Sequence, residues 1–95
     1  MPRKRRNDSM PPPNPELNAA ILKIVDNQLS AGTPAETQHT FDRLVQAGHS
    51  VEDARRLIGC VVVSEIFQVM QRGAPYDEAR YVAALRRLPR LPWEK

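Results

Sequence analysis

An apolar run from Leu57 to Val63 constrains the fold of this chain more than any other feature. Its three consecutive valines favour an extended backbone, so a buried strand is one interpretation. Apolar residues, however, continue at helical spacing on both sides of the run, at Val51, Ala54, Ile58, Val62, Ile66, Val69 and Met70. Gly73 then supplies a helix stop. The periodicity predicts one long helix over residues 51–72, and the strand is the alternative.

Polar side chains occupy only part of the circumference of this helix. On a helical wheel they gather opposite the apolar residues, at Asp53, Ser64, Gln68 and Gln71. The broad apolar arc that remains predicts a helix packed on more than one side. Glu65 lies at the edge of the arc, where a partly buried acid is expected to pair with an arginine of the following helix.

Three shorter helices are predicted around this central one. The four helices begin after residues that cap the free amides of a first turn, namely Asn14, Thr33, Ser50 and Asp77. Thr33 is expected to form a capping box with Glu36, and Gly48 and Pro89 end the second and fourth helices. The predicted helices span residues 15–30, 34–47, 51–72 and 78–88. The sequence therefore predicts an all-α fold, a compact four-helix bundle around a long central third helix.

The positive charge of the chain is concentrated at one end. The formal net charge is +3, and four cations lie close together at Arg3, Lys4, Arg5 and Arg6. Residues 14–95 contain ten basic and ten acidic residues, so the predicted helical domain is neutral. Residues 1–13 are basic and proline-rich, a composition that predicts a disordered arm. Nucleic-acid contact is therefore expected only through Arg3, Lys4, Arg5 and Arg6.

A helix-turn-helix reading of the second and third helices is disfavoured. The start of the third helix carries Glu52 and Asp53, which would face the phosphates of a DNA backbone. Arg55 and Arg56 are the compensating cations nearby. A plain helical hairpin is the better interpretation.

The chain offers few residues for chemistry. His39 and His49 are ten positions apart, and Cys60 is inside the apolar run, where a thiol is usually an inert core group. Neither a glycine-rich phosphate loop nor a nucleophile motif is present in the sequence. These features predict a protein that is not an enzyme, with no cofactor and no metal.

The single cysteine and the lack of a long apolar segment favour a cytoplasmic protein without a membrane partner. A domain of this size is close to the limit of independent stability, so self-association or an unknown protein partner is expected. Aromatic and apolar residues near a chain end often anchor partners. The predicted partner contacts are Tyr76, Leu91 and Trp93.

Short motifs between residues 14 and 93 resemble a family of small bacterial all-helical proteins of unknown function. They are Asn14-Pro15, Ile24 to Gln28, Arg43-Leu44 with Gly48, Glu52 to Ala54 with Ile58-Gly59, and Tyr76-Asp77 with Arg80-Tyr81, Leu85 and Trp93. In that family the resemblance implies histidines at the positions of Asn18, Leu22, Glu52 and Arg56, and this chain has none of them. The resemblance implies a bacterial helical bundle, and it places metal chemistry in doubt.

The sequence thus favours a protein-interaction module without catalysis. The alternative is nucleic-acid binding through the basic arm, and the second alternative is a metal-binding protein that has lost its ligands.

Overall fold

The computed structural model describes residues 15–73 and 75–94 and confirms the all-α prediction. Its four helices are α1 (Pro15–Ala31), α2 (Ala35–Gln46), α3 (Val51–Arg72) and α4 (Glu78–Arg87). No strand occurs among the described residues, so the extended alternative for the valine run is wrong. The predicted arm, residues 1–13, and the predicted cap Asn14 lie outside the described residues.

Local signals at most helix ends act as predicted. The Ser50 hydroxyl accepts a hydrogen bond from the Asp53 amide at 3.0 Å, and the Asp77 carboxylate accepts one from the Arg80 amide at 3.2 Å. Gly48 follows α2 with a φ of 108°, and its amide donates to the Val45 carbonyl. Gly73 ends α3 with a φ of 65°. These two glycines adopt the left-handed backbone that ends a helix at low cost.

The predicted capping box at Thr33 is wrong. Pro34 is the residue that precedes α2, and no side chain caps this end of the helix. The Thr37 amide instead donates to the Pro34 carbonyl at 3.0 Å, and the Thr37 hydroxyl turns towards α1. The box fails because backbone and tertiary contacts, rather than Thr33, satisfy this turn.

α3 is the centre of the bundle and contacts each of the other three helices. The core consists of buried apolar side chains from all four helices and the turn after α4: Ile21, Val25, Leu44, Ala54, Ile58, Val61, Val62, Tyr81, Leu85 and Leu88. The prediction that α3 packs on more than one side is confirmed.

α1 runs antiparallel to α3 and approaches it most closely at Gly59. A Cβ at this position would lie 3.1 Å from the Ile21 Cγ2, tighter than ordinary van der Waals contact. About one helical turn away along α3, Arg55 forms a bidentate ion pair with Asp26, at 2.8 and 2.9 Å. The lack of a side chain at Gly59 is therefore what lets the two helices meet.

The predicted apolar face of α3 is buried only in its middle. Ala54, Ile58 and Val62 are buried as expected, whereas Val51, Ile66 and Met70 are exposed. The physical reason is length, because α3 has 22 residues and α1, α2 and α4 have 17, 12 and 10. The shorter helices leave both ends of the long helix uncovered.

Arg43 of α2 holds the end of α4. Its guanidinium donates to the main-chain oxygens of Leu88 at 2.7 Å and Leu85 at 3.1 Å, with a longer contact to Arg86 at 3.5 Å. The last carbonyls of a helix have no partner within the helix. Arg43 supplies that partner from a different helix and so fixes α4 against α2.

Candidate interaction surface

The C-terminal half of α3 presents a strip of exposed apolar side chains. Ile66, Phe67 and Met70 are 40%, 57% and 75% exposed, and we call these three residues the α3 strip. Residues three and four apart lie on one side of a helix, so Met70 adjoins both Ile66 and Phe67. A large aromatic ring beside a flexible thioether is a combination enriched at protein interfaces.

The register of α1 explains why the α3 strip is uncovered. Ile21 is opposite Gly59 and Asp26 is opposite Arg55, so the two helices run past each other in opposite directions. Continuing this register at a rise of about 1.5 Å per residue places Pro15 level with about residue 65 of α3. The last two turns of α3 therefore extend beyond the start of α1.

The three predicted partner contacts differ in their surroundings. Tyr76 is 52% exposed, and its ring centre is 6.0 Å from that of the buried Tyr81. Leu91 is partly buried against the core, and Trp93 is half-buried. Tyr76 thus presents the most surface of the three. The predicted nucleic-acid contacts Arg3, Lys4, Arg5 and Arg6 lie outside the described residues.

An ion pair connects α3 to the start of α4. The Glu65 side chain is buried, and its two carboxylate oxygens accept hydrogen bonds from Nε and Nη2 of Arg80, the former at 3.0 Å. The Asp77 amide also approaches Glu65 Oε2, at 3.4 Å. The hydrogen bond to Glu65 raises the pKa of Arg80 above its ordinary value. The prediction that Glu65 pairs with an arginine of the fourth helix is confirmed.

A partly buried side-chain amide oxygen joins three helices. Oε1 of Gln28 accepts hydrogen bonds from the Thr37 hydroxyl at 2.8 Å and the Tyr81 hydroxyl at 2.9 Å. Burial raises the pKa of Tyr81, and the hydrogen bond to Gln28 partly opposes this shift. A neutral phenol that donates to an amide suits a structural role, because buried polar groups need partners.

Cys60 has the character expected of an inert thiol. Burial raises its pKa, and the nearby Arg56 only partly opposes the shift. A raised pKa leaves less of the nucleophilic thiolate near neutral pH. Within residues 15–73 and 75–94, no three or more His, Cys, Asp or Glu side chains are grouped in a way that would hold a metal ion.

Sequence reasoning missed the α3 strip and the role of Arg43. The periodicity predicts Ile66 and Met70 to be buried, because their spacing continues the apolar face without a break, and it makes no prediction for Phe67. The signal that distinguishes the strip is the difference in helix lengths, which leaves no partner for the last two turns of α3. Phe67 is the one residue of the α3 strip that lies beside the apolar face of α3 rather than on it, next to Gln68 of the polar side.

Comparison of the chain with models of known protein families, with curated proteins and with solved structures found no match. The resemblance to small bacterial helical proteins thus stays a prediction. Each described helix is too short or too polar to pass through a lipid bilayer.

Proposed function

We propose that this chain is a protein-interaction module without catalysis, and that it pairs with a second copy of itself through the α3 strip. The observation that carries the proposal is the exposure of Ile66 and Met70, on the face of α3 that α1 covers further along, and of the adjoining Phe67. Exposed large apolar side chains in contact with one another are typical of binding surfaces. An interface that lacks charge at its centre favours association.

A second copy is the occupant that the composition of this region favours. Residues 66–71 contain no charged side chain, so two identical surfaces meet there without like-charge repulsion. Two antiparallel α3 ends present the same apolar strip to each other around a two-fold axis. A small domain also gains stability from pairing, since association stabilises the folded state by mass action.

Charges at the margin of the α3 strip are complementary in this arrangement. When Phe67 of one copy faces Met70 of the other, Arg72 comes level with about residue 65 of the opposite α3, if both helices rise by about 1.5 Å per residue. This is the level at which α1 begins, and Glu16 is in its first turn. The pairing therefore brings Arg72 of each copy near Glu16 of the other.

Three side chains cover less surface than a stable, standard-sized interface, which buries about 1,200–2,000 Å² in total. The expected dimer is therefore weak, and its population depends on protein concentration. Sedimentation equilibrium of the full chain over a wide concentration range is the direct measurement. We expect a reversible monomer–dimer equilibrium for the parent and a monomer for Phe67→Asp, because pairing would bury the new carboxylate without a partner.

Val51→Asp is the matched control for this experiment. Val51 is 53% exposed, a fraction similar to that of Phe67, but it lies at the opposite end of α3. The control variant should dimerise like the parent. Equal association of Phe67→Asp and the parent, or a monomer at every concentration, would contradict the proposal. If a chain lacking residues 1–13 dimerises and the full chain does not, the N-terminal segment of the same chain, rather than a second copy, is what covers the α3 strip.

The second candidate function is nucleic-acid binding through Arg3, Lys4, Arg5 and Arg6, and the charge imbalance of the sequence supports it. We expect a mobility shift with duplex DNA that weakens as salt rises, because binding releases counterions. The shift should be lost when residues 1–13 are deleted. Binding that survives the deletion would assign the contact to the helical domain, and no shift for the full chain would dispose of this candidate.

A further inference from the structure

A groove between α3 and α4 lies apart from the α3 strip. Its α3 wall contains Ser64 and Gln68, and the small side chains of Ala83 and Ala84 on α4 leave the space between the helices open. Three arginines line it: Arg80, Arg87 and Arg90. We call this feature the arginine groove.

The positive charge of Arg87 is not paired with any side chain among the described residues. Among the described residues, no hydrogen bond or ion pair is formed by its side chain. A cation in the last turn of a helix usually interacts with the terminal carbonyls. Here Arg43 already donates to the Leu85 and Leu88 carbonyls. The guanidinium of Arg87 is therefore left to face the groove.

Glu65 does not cancel this positive character. It lines the groove too, but its side chain is only 9% exposed and both oxygens accept hydrogen bonds from Arg80. Glu65 and Arg80 therefore offset each other. Arg87, which has no such partner among the described residues, leaves the lining cationic beside the hydroxyl of Ser64 and the amide of Gln68.

The size of the groove limits what it holds. Its volume is about 210 Å³, below the roughly 300–1,000 Å³ of sites for drug-sized molecules. Arginine forms paired, charge-assisted hydrogen bonds with planar or tetrahedral oxyanions. We propose that the arginine groove binds a small oxyanion, a phosphate or carboxylate group, with Arg87 as the principal contact and Ser64 and Gln68 as further donors.

Thermal unfolding of the full chain tests this site, with inorganic phosphate and acetate titrated separately at constant ionic strength. A ligand that binds only the folded state raises the unfolding temperature in a saturable way. We expect saturation with at least one anion and not with chloride. A response to phosphate alone identifies a phosphate group as the ligand, and a response to acetate alone identifies a carboxylate.

Variants separate a specific site from a general salt effect. Arg87→Gln should weaken the apparent affinity by about tenfold or more, since a hydrogen bond to a charged group contributes about 1.5–3 kcal/mol. Ala83→Leu, which fills the groove without changing its charge, should weaken binding as well. Lys23→Gln removes an exposed cation of α1, outside the groove, and should leave binding unchanged. An equal response in Arg87→Gln and the parent, or no saturation with either anion, would overturn the proposal.

Discussion

Gly59→Leu is expected to destabilise the domain by about 3 kcal/mol, the upper part of the usual range for overpacked cores. Even a Cβ here would lie 3.1 Å from Ile21 Cγ2, so the rest of a leucine side chain has no space between α1 and α3. Small domains have total stabilities towards the lower end of about 5–15 kcal/mol, so the loss is a large fraction. Urea unfolding followed by far-ultraviolet circular dichroism measures it.

Two further variants isolate the cause of this loss. Gln71→Leu adds the same side chain at an exposed position of α3 and should leave the free energy of unfolding nearly unchanged. Gly59→Ala should fall within about 1 kcal/mol of the parent, because the better helix propensity of alanine offsets the tight Cβ contact. A Gly59→Leu variant as stable as the parent would show that α1 and α3 do not meet closely at this residue.

Leu44→Ala is expected to cost about 2–5 kcal/mol, the range for deleting a fully buried leucine side chain. Leu44 is fully buried, and it is the only apolar residue among the buried positions of α2, beside Thr37 and Thr40. The other apolar residues of α2 that pack against the core, Phe41 and Val45, are only partly buried and cannot fully compensate for its loss. The free energy of unfolding is again measured in urea, and the urea concentration at which half of the protein is unfolded should fall.

The matched control for Leu44 is Val51→Ala, which also shortens an aliphatic side chain but at a site 53% exposed. Its effect should be within about 0.5 kcal/mol. If both variants lost the same small amount, α2 would not be held by the burial of Leu44. A weaker dependence of the unfolding free energy on urea concentration in Leu44→Ala, with α3 still helical, would indicate that α2 detaches before the rest of the domain unfolds.

Local sequence signals were sufficient to predict the helices. Ser50, Asp77 and the glycines at positions 48 and 73 act within a few residues of themselves, so their effects depend little on the rest of the fold. The observed bounds of α3 equal those predicted from its periodicity, α1 and α4 differ by one residue at one end, and α2 differs by one residue at each end. Thr33 is the exception, because Thr37 makes tertiary contacts at that turn.

The contacts between helices were not predictable in the same way. Periodicity shows which side of α3 is apolar, but it does not show how far a neighbouring helix extends along that side. Ile66 and Met70 therefore looked like core residues and are exposed. The Gln28 amide and the Arg43 guanidinium likewise acquire their roles from residues more than forty positions away in the chain, at Tyr81 and Leu88. Only the pairing of Glu65 with α4 followed from its place at the edge of the apolar arc.

The contact of Arg43 with the end of α4 also bears on the order in which the protein acquires its structure during translation. The guanidinium leaves the ribosome well before its acceptors, since the Leu88 carbonyl is 45 residues further along. The residues through which α1 and α3 contact each other, such as Ile21 and Gly59, are synthesised before Leu88. A nascent chain can therefore secure α2 to α4 only after residue 88 has emerged.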